Sequence, residues 1–238
     1  MKKNINKLNI SFIINRWIVF LILILFFNSC NKDKWNEPTT VNFIVDVNRE
    51  EGHGGKLYFL SGSIVLGDFT FDGKRVQGDD VYFKNNFSSG LKIDFNQNVS
   101  VGDLNFEIPQ GTFTKIQISF STVEMVGENQ IELDGIFNSG AGDEINVHFE
   151  FNAVEKFTVL SQSASGSPEI VLKKETPMTP KMVFDPIYWF QPVPIELLNN
   201  AEIIDIESVP TILINSTTNP EIYNIIVSRI GDGVKIIF

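Results

Sequence analysis

From Val41 onward, apolar and polar residues alternate along the chain. Val41, Phe43, Val45 and Val47 recur at every second position, with Asn42, Ile44 and Asp46 between them. A period of two places one set of side chains on each face of a strand. Further runs rich in aromatic and β-branched residues follow at 57–60, 63–71, 81–87, 91–95, 115–120, 131–137, 145–151, 156–160 and 170–172. In the run 115–120, Ile116, Ile118 and Phe120 share one face, and Lys115, Gln117 and Ser119 the other. Turn chemistry separates these runs: Gly52-His53-Gly54-Gly55, Asp72-Gly73, Ser88-Ser89-Gly90 and the stretch 138–143. Many short strands with turns between them predict an all-β fold. We expect a two-sheet antiparallel sandwich, immunoglobulin/transthyretin-like in general architecture.

The last third changes character. Pro177, Pro180, Pro186, Pro192 and Pro194 crowd a short stretch, and proline cannot donate to a strand ladder. This stretch therefore reads as connector or sheet edge. Pro194 is placed to open a short helix through Ile195, Leu197, Leu198 and Ala201. A second helix is predicted over 219–230. Asn219 suits its N-cap, Pro220 its first position and Gly231 its end. Ile222, Ile225 and Ile226 supply its apolar face. Residues 234–238 read as a final strand. The sandwich thus carries one or two short C-terminal helices.

The N-terminus follows a different logic. Residues 1–16 are polar and basic, and residues 17–27 are uncharged and apolar. That run is shorter than the roughly 20 residues a membrane-spanning helix needs. It has the form of a secretory signal. Asn28-Ser29-Cys30 follows at its end, and a small residue before a cysteine resembles a bacterial lipobox. The resemblance implies cleavage before Cys30 and a covalent lipid on its thiol, two or more acyl chains being what stable anchoring requires. The expected organisation is a signal peptide at 1–29, a lipidated tether at 30–40 and one sandwich domain at 41–238. Asn31 resembles the residue of a cargo sent on to the outer membrane. Periplasm-facing and surface-exposed orientations both stay open.

Charge and residue counts narrow the chemistry. The chain carries a net charge of −10, and all basic residues before Cys30 stand without an acid. The remainder has 15 basic and 29 acidic residues, a net −14. A nucleic-acid module would need a basic patch, so that partner is excluded. One cysteine excludes an intramolecular disulfide. The acids cluster at Asp79-Asp80, at Asp143-Glu144 and at Glu202, Asp205 and Glu207. They read as solvated faces. Asp79, Asp80 and Asp143 are the weak calcium candidates, although none has the spacing of a dedicated calcium loop. His148 reads as a solvent-facing strand residue and His53 as an exposed turn residue. Arg75 is placed to pair with Asp79 or Asp80 across a turn. No catalytic residue and no cofactor beyond the lipid is assigned.

Tyr188-Trp189-Phe190, flanked by prolines, are the aromatic candidates. Two placements are open. Tyr188 and Trp189 form a stacking platform for a glycan, or Trp189 plugs the core. The chain carries 21 phenylalanines in all, which are expected to fill the space between the sheets.

Three stretches are familiar together: 71–83 (FDGKRVQGDDVYF), 108–113 (IPQGTF), and Trp189-Phe190 followed by Ala201, 212–215 (ILIN), Asn219 and Ile222-Tyr223. This order is similar to a family of functionally uncharacterised outer-membrane lipoproteins of Bacteroidota-type bacteria. The resemblance implies an outer-membrane lipoprotein with an all-β core and carries no activity. The expected function is a cell-envelope lipoprotein with a non-catalytic binding role, glycan recognition first. The alternative is a structural or adhesin-type subunit assembling through an exposed sheet edge. A glycan-active hydrolase is third. The expected partners are the membrane, through the lipid, and a glycan or an envelope protein.

Overall fold

The alternating segments become two sheets in the computed structural model, which describes residues 33–96, 98–139 and 142–238. Cys30 and the signal segment lie outside the described residues. The strands are β1 (Pro38–Val47), β2 (Leu57–Arg75), β3 (Val81–Asp94), β4 (Ser100–Pro109), β5 (Gly111–Thr122), β6 (Ile131–Asn138) and β7 (Glu144–Phe151). The shorter strands β8 (Lys156–Leu160), β9 (Ile170–Leu172), β10 (Lys181–Phe184), β11 (Ile204–Ile206), β12 (Val209–Ile214) and β13 (Val234–Ile237) complete the set. Three short helices lie in the last third: α1 (Pro186–Phe190), α2 (Ile195–Asn199) and α3 (Pro220–Val227).

One sheet has the order β13-β10-β1-β4. The larger has the order β11-β12-β7-β6-β2-β5-β8, with β3 also on β2 and β9 also on β5. Their apolar faces meet in one core. The phenylalanines fill it as expected: Phe43, Phe59, Phe69, Phe71, Phe120 and Phe157 are all completely buried. Phe43 meets Phe69 edge-on at 5.2 Å, and Phe120 stacks on Phe157 at 4.7 Å. Such pairs add directional preference to area burial. The expected all-β sandwich is the observed one, with two pairings that run parallel: β1 with β10, and β7 with β12. Both parallel partners come from the last third of the chain.

Several local readings change. Asp72-Gly73 is not a hairpin turn, because β2 runs through it to Arg75. Gly73 is there for space: a Cβ on it would lie 2.6 Å from the ring of Phe71 and 2.7 Å from that of Phe113. The chain turns later, with Gly78 at φ +76°. Ser88-Ser89-Gly90 likewise lies inside β3, where Gly90 adopts φ +79°. Strand β4 had no counterpart in the sequence reading, since Gly102, Asp103 and Asn105 interrupt its pattern. Strand β1 begins at Pro38, inside the expected tether, and Gln110 Nε2 donates to the Lys34 carbonyl at 2.7 Å.

The helix over 219–230 is shorter, ending at Val227, and Gly231 belongs to a separate 3-10 turn. Asn219 does not cap it with its side chain. It sits in the left-handed region at φ +53°, and its Nδ2 donates to the Leu213 carbonyl at 2.7 Å and the Glu202 carbonyl at 3.0 Å. Asn219 thus ties the end of β12 and the α2–β11 connection to α3. Asparagine is among the few residues that tolerate this backbone region.

Candidate functional site

The candidate site is built on the outer face of the larger sheet. In the β6–β7 register Asp134 faces His148 and Glu132 faces Glu150. On the flanking strand, Ser61 faces Asp134 and Ser63 faces Glu132. Alternation therefore lines up polar side chains across three strands. Two carboxylates directly opposite repel unless other groups relieve them. Here Asn129 Nδ2 donates to Glu132 at 3.0 Å, and Asn215 Nδ2 donates to Glu150 at 2.8 Å.

His148 lies between the acids. Its Nδ1 is 2.7 Å from Asp134 Oδ1, and its Nε2 is 3.5 Å from Glu150 Oε1. Ser61 Oγ donates to the other oxygen of Asp134 at 3.2 Å. The hydrogen bond with Asp134 holds the imidazole pKa above its ordinary value, against partial burial, with Glu150 and Glu132 adding to the rise. The bond from His148 holds the Asp134 carboxyl below its ordinary value, against its own burial. The reading of His148 as a solvent-facing strand residue is half right. It is on the outer face, but engaged on both ring nitrogens.

The β11–β12 hairpin forms one wall. Its turn residues Glu207 and Ser208 both have positive φ, +49° and +69°. Two successive left-handed residues match the type I′ turn that a twisted two-residue hairpin needs, with neither of them a glycine. The groove between this hairpin and the sheet has a volume of about 460 Å³. Asp134, His148, Glu150, Asn146 and Thr211 supply its polar lining, and Leu60, Ile136 and Val209 its apolar lining. Leu60 is half exposed. The arrangement offers donors and acceptors already fixed in place, beside apolar surface, in an open groove.

The His148–Asp134 pair makes folding sensitive to pH. A raised histidine pKa contributes stability that is complete below the unfolded value of 6.5 and is lost as pH rises through the folded value. A depressed aspartate contributes stability above its unfolded value of 3.8 and loses it as pH falls through the folded value. The pair is therefore intact between those limits. Between about pH 6 and about pH 8, the melting temperature of the parent should fall more than that of His148→Gln. Parallel melting curves for the two proteins across that interval would refute the linkage.

The other sequence candidates lie elsewhere. Trp189 is completely buried against Phe184, the ring centroids 6.3 Å apart. It takes the core-plug placement, and its ring presents no face to solvent. Tyr188 is partly exposed, and the Arg229 guanidinium covers its ring at 3.8 Å. His53 is not simply exposed: its Nε2 donates to the Phe190 carbonyl at 3.0 Å, joining the glycine turn to α1. Arg75 meets both expected acids by a different route. Its Nε donates to the Asp79 carbonyl at 2.7 Å, and the Asp80 carboxylate accepts from its backbone N–H at 3.2 Å. Asp143 closes a turn with Ser139. Among the described residues, no three His, Cys, Asp or Glu side chains come together as a metal site. The groove residue Asp134, and Ser61 that donates to it, had no local signal, because only strand register brings them to His148.

No family model, curated protein or solved structure matches the chain. Among the described residues, no helix is long and apolar enough to cross a membrane.

Proposed function

We propose that this protein is a lipid-anchored outer-membrane lipoprotein with a non-catalytic binding role, and that glycans are the ligand class taken by the groove beneath the β11–β12 hairpin. The observation that carries this reading is the fixed row Ser61–Asp134–His148–Glu150–Asn215 beside exposed Leu60. Sugars present hydroxyls that both donate and accept, and a C–H face that packs on apolar side chains. A groove with a few placed polar groups and an apolar lining suits such a ligand. The same row argues for binding over hydrolysis. A general-acid carboxyl in glycoside cleavage needs its pKa raised, whereas Asp134 is held below its ordinary value. Anchoring rests on the apolar run that ends at Ser29-Cys30.

The full chain, purified in detergent, should bind members of a neutral glycan array. Calorimetry on the best of them should show about tenfold weaker binding for His148→Ala, or about 1.4 kcal/mol. An array without hits, or unchanged affinity in the variant, ends the groove reading. Cys30→Ala should leave an uncleaved precursor without lipid. A variant processed and anchored like the parent ends the lipoprotein reading.

One observation favours the structural alternative. Strand β3 is 14 residues long and, among the described residues, pairs only with β2, and Tyr82 on it is 69% exposed. An unpaired edge is a template for strand addition. Stable oligomers of the detergent-purified protein, together with an empty glycan array, would move the assignment to assembly.

A further inference from the structure

We infer a second binding site, in the cavity between β5, β8 and β9, for an oxyanion carried on a hydroxyl-rich molecule of monosaccharide size. The site arises from a gap in strand pairing. Strand β5 pairs with β9 through Gly111, Thr112 and Phe113, and with β8 from Gln117 onward. Thr114, Lys115 and Ile116 lie between. There the serine-rich loop 161–169 replaces a partner strand, held by Ser161 N–H donating to the Ile116 carbonyl at 2.8 Å. The cavity under this loop measures about 370 Å³, within the range of small-molecule sites.

Its lining is the reverse of the protein as a whole. The chain carries a net charge of −10, yet none of the described residues lining this cavity is an acid. Among those described residues Lys115 is the single cation, and Ser161, Gln162, Ser163, Gly166 and Ser167 line the cavity with it. Leu160, 60% exposed, and Pro168 add apolar surface. Two further observations point to an anion. Ser161 Oγ is buried without a hydrogen-bond partner, and an unsatisfied buried hydroxyl is costly unless something fills its need. Lys74 stands directly opposite Lys115 in the β2–β5 register. Like charges in that position oppose pairing. Asp72 sits two pairs further along, opposite Gln117. Among the described residues, neither lysine side chain has an ion-pair or hydrogen-bond partner. An oxyanion between the two ammonium groups removes their repulsion, and the hydroxyls around Lys115 suit the rest of a polyol. A sugar bearing a carboxylate or a sulfate ester has this chemistry.

Calorimetry on the full chain in detergent tests the site with three probes: a uronate oligosaccharide, its carboxyl-reduced neutral counterpart, and inorganic sulfate. The uronate should bind, and added salt should weaken it. Lys115→Gln, which keeps most of the side-chain stem, should weaken it at least tenfold. Lys74→Gln, at an exposed position, should weaken it severalfold and serves if the first variant does not fold. His148→Ala should leave it unchanged, which separates this site from the proposed groove. Equal affinity for the uronate and its neutral counterpart, or unchanged affinity in both lysine variants, overturns the anion site. Inorganic sulfate binding as tightly as the uronate overturns the sugar-sized ligand.

Discussion

Trp189→Ala should lower the unfolding free energy by about 3–5 kcal/mol, the range for truncating a large buried aromatic. The residue sits on α1, whose N-cap Asp185 accepts a hydrogen bond from the Tyr188 N–H at 3.1 Å. It is completely buried, with Phe184 and Phe190, also completely buried, nearby in sequence. Alanine there leaves a cavity that a close-packed interior closes only in part. Domain stability is about 5–15 kcal/mol, so the loss is a large fraction of the whole. The indole fits tightly on its far side too. A Cβ on Gly233 would overlap the indole nitrogen and ring. Gly233→Ala should therefore destabilise by overpacking, about 1–3 kcal/mol. Trp189→Phe should cost less than alanine, because Trp189 Nε1 is buried without a hydrogen-bond partner. Chemical melts of the four proteins check the order. A midpoint for Trp189→Ala equal to the parent's would show that the side chain is not a plug.

Removal of residues 234–238 should abolish stable folding. Val234, Ile236 and Phe238 are all buried, and at about 1.5–3 kcal/mol per side chain their burial is worth about 5–9 kcal/mol. The tail also closes the structure. Strand β13 pairs with β10 in the smaller sheet. Its backbone then bonds to the segment after β8 in the larger one: Gln162 N–H to the Ile236 carbonyl at 2.8 Å, and Phe238 N–H to the Gln162 carbonyl at 2.8 Å. The Phe238 ring packs edge-on against Phe43 at 5.8 Å. Truncation therefore opens both sheets at one edge and uncovers core phenylalanines. The truncated chain should accumulate as aggregate, and Ile236→Ala should fold with a loss of about 2–5 kcal/mol. A soluble truncation melting like the parent would show the tail to be peripheral.

Much of the strand content was legible because alternation is a local signal. Residues 41–47, 131–137 and 145–151 lie within β1, β6 and β7, and the tail 234–238 nearly coincides with β13. Glycine was the weak guide. At Gly73 it marks close packing against Phe71 and Phe113 and no turn, and a sequence does not distinguish a glycine needed for space from one needed for backbone freedom. Asn219 looked like an N-cap by position, yet its side chain bonds to carbonyls at the end of β12 and at Glu202. Its partners are set by how those segments come together.

The residues by themselves determined the class of fold, the phenylalanine-filled core and the acidic surface, since each follows from composition and from periodicity within one strand. Strand order was decided only in three dimensions. So were the parallel return of β10 and β12, and every functional juxtaposition. His148 meets Asp134 14 residues away, and Lys115 faces Lys74 across β2 and β5. Register between strands depends on how the whole apolar set is buried at once. A one-residue slip would turn each of these side chains to the other face and leave the local sequence pattern unchanged.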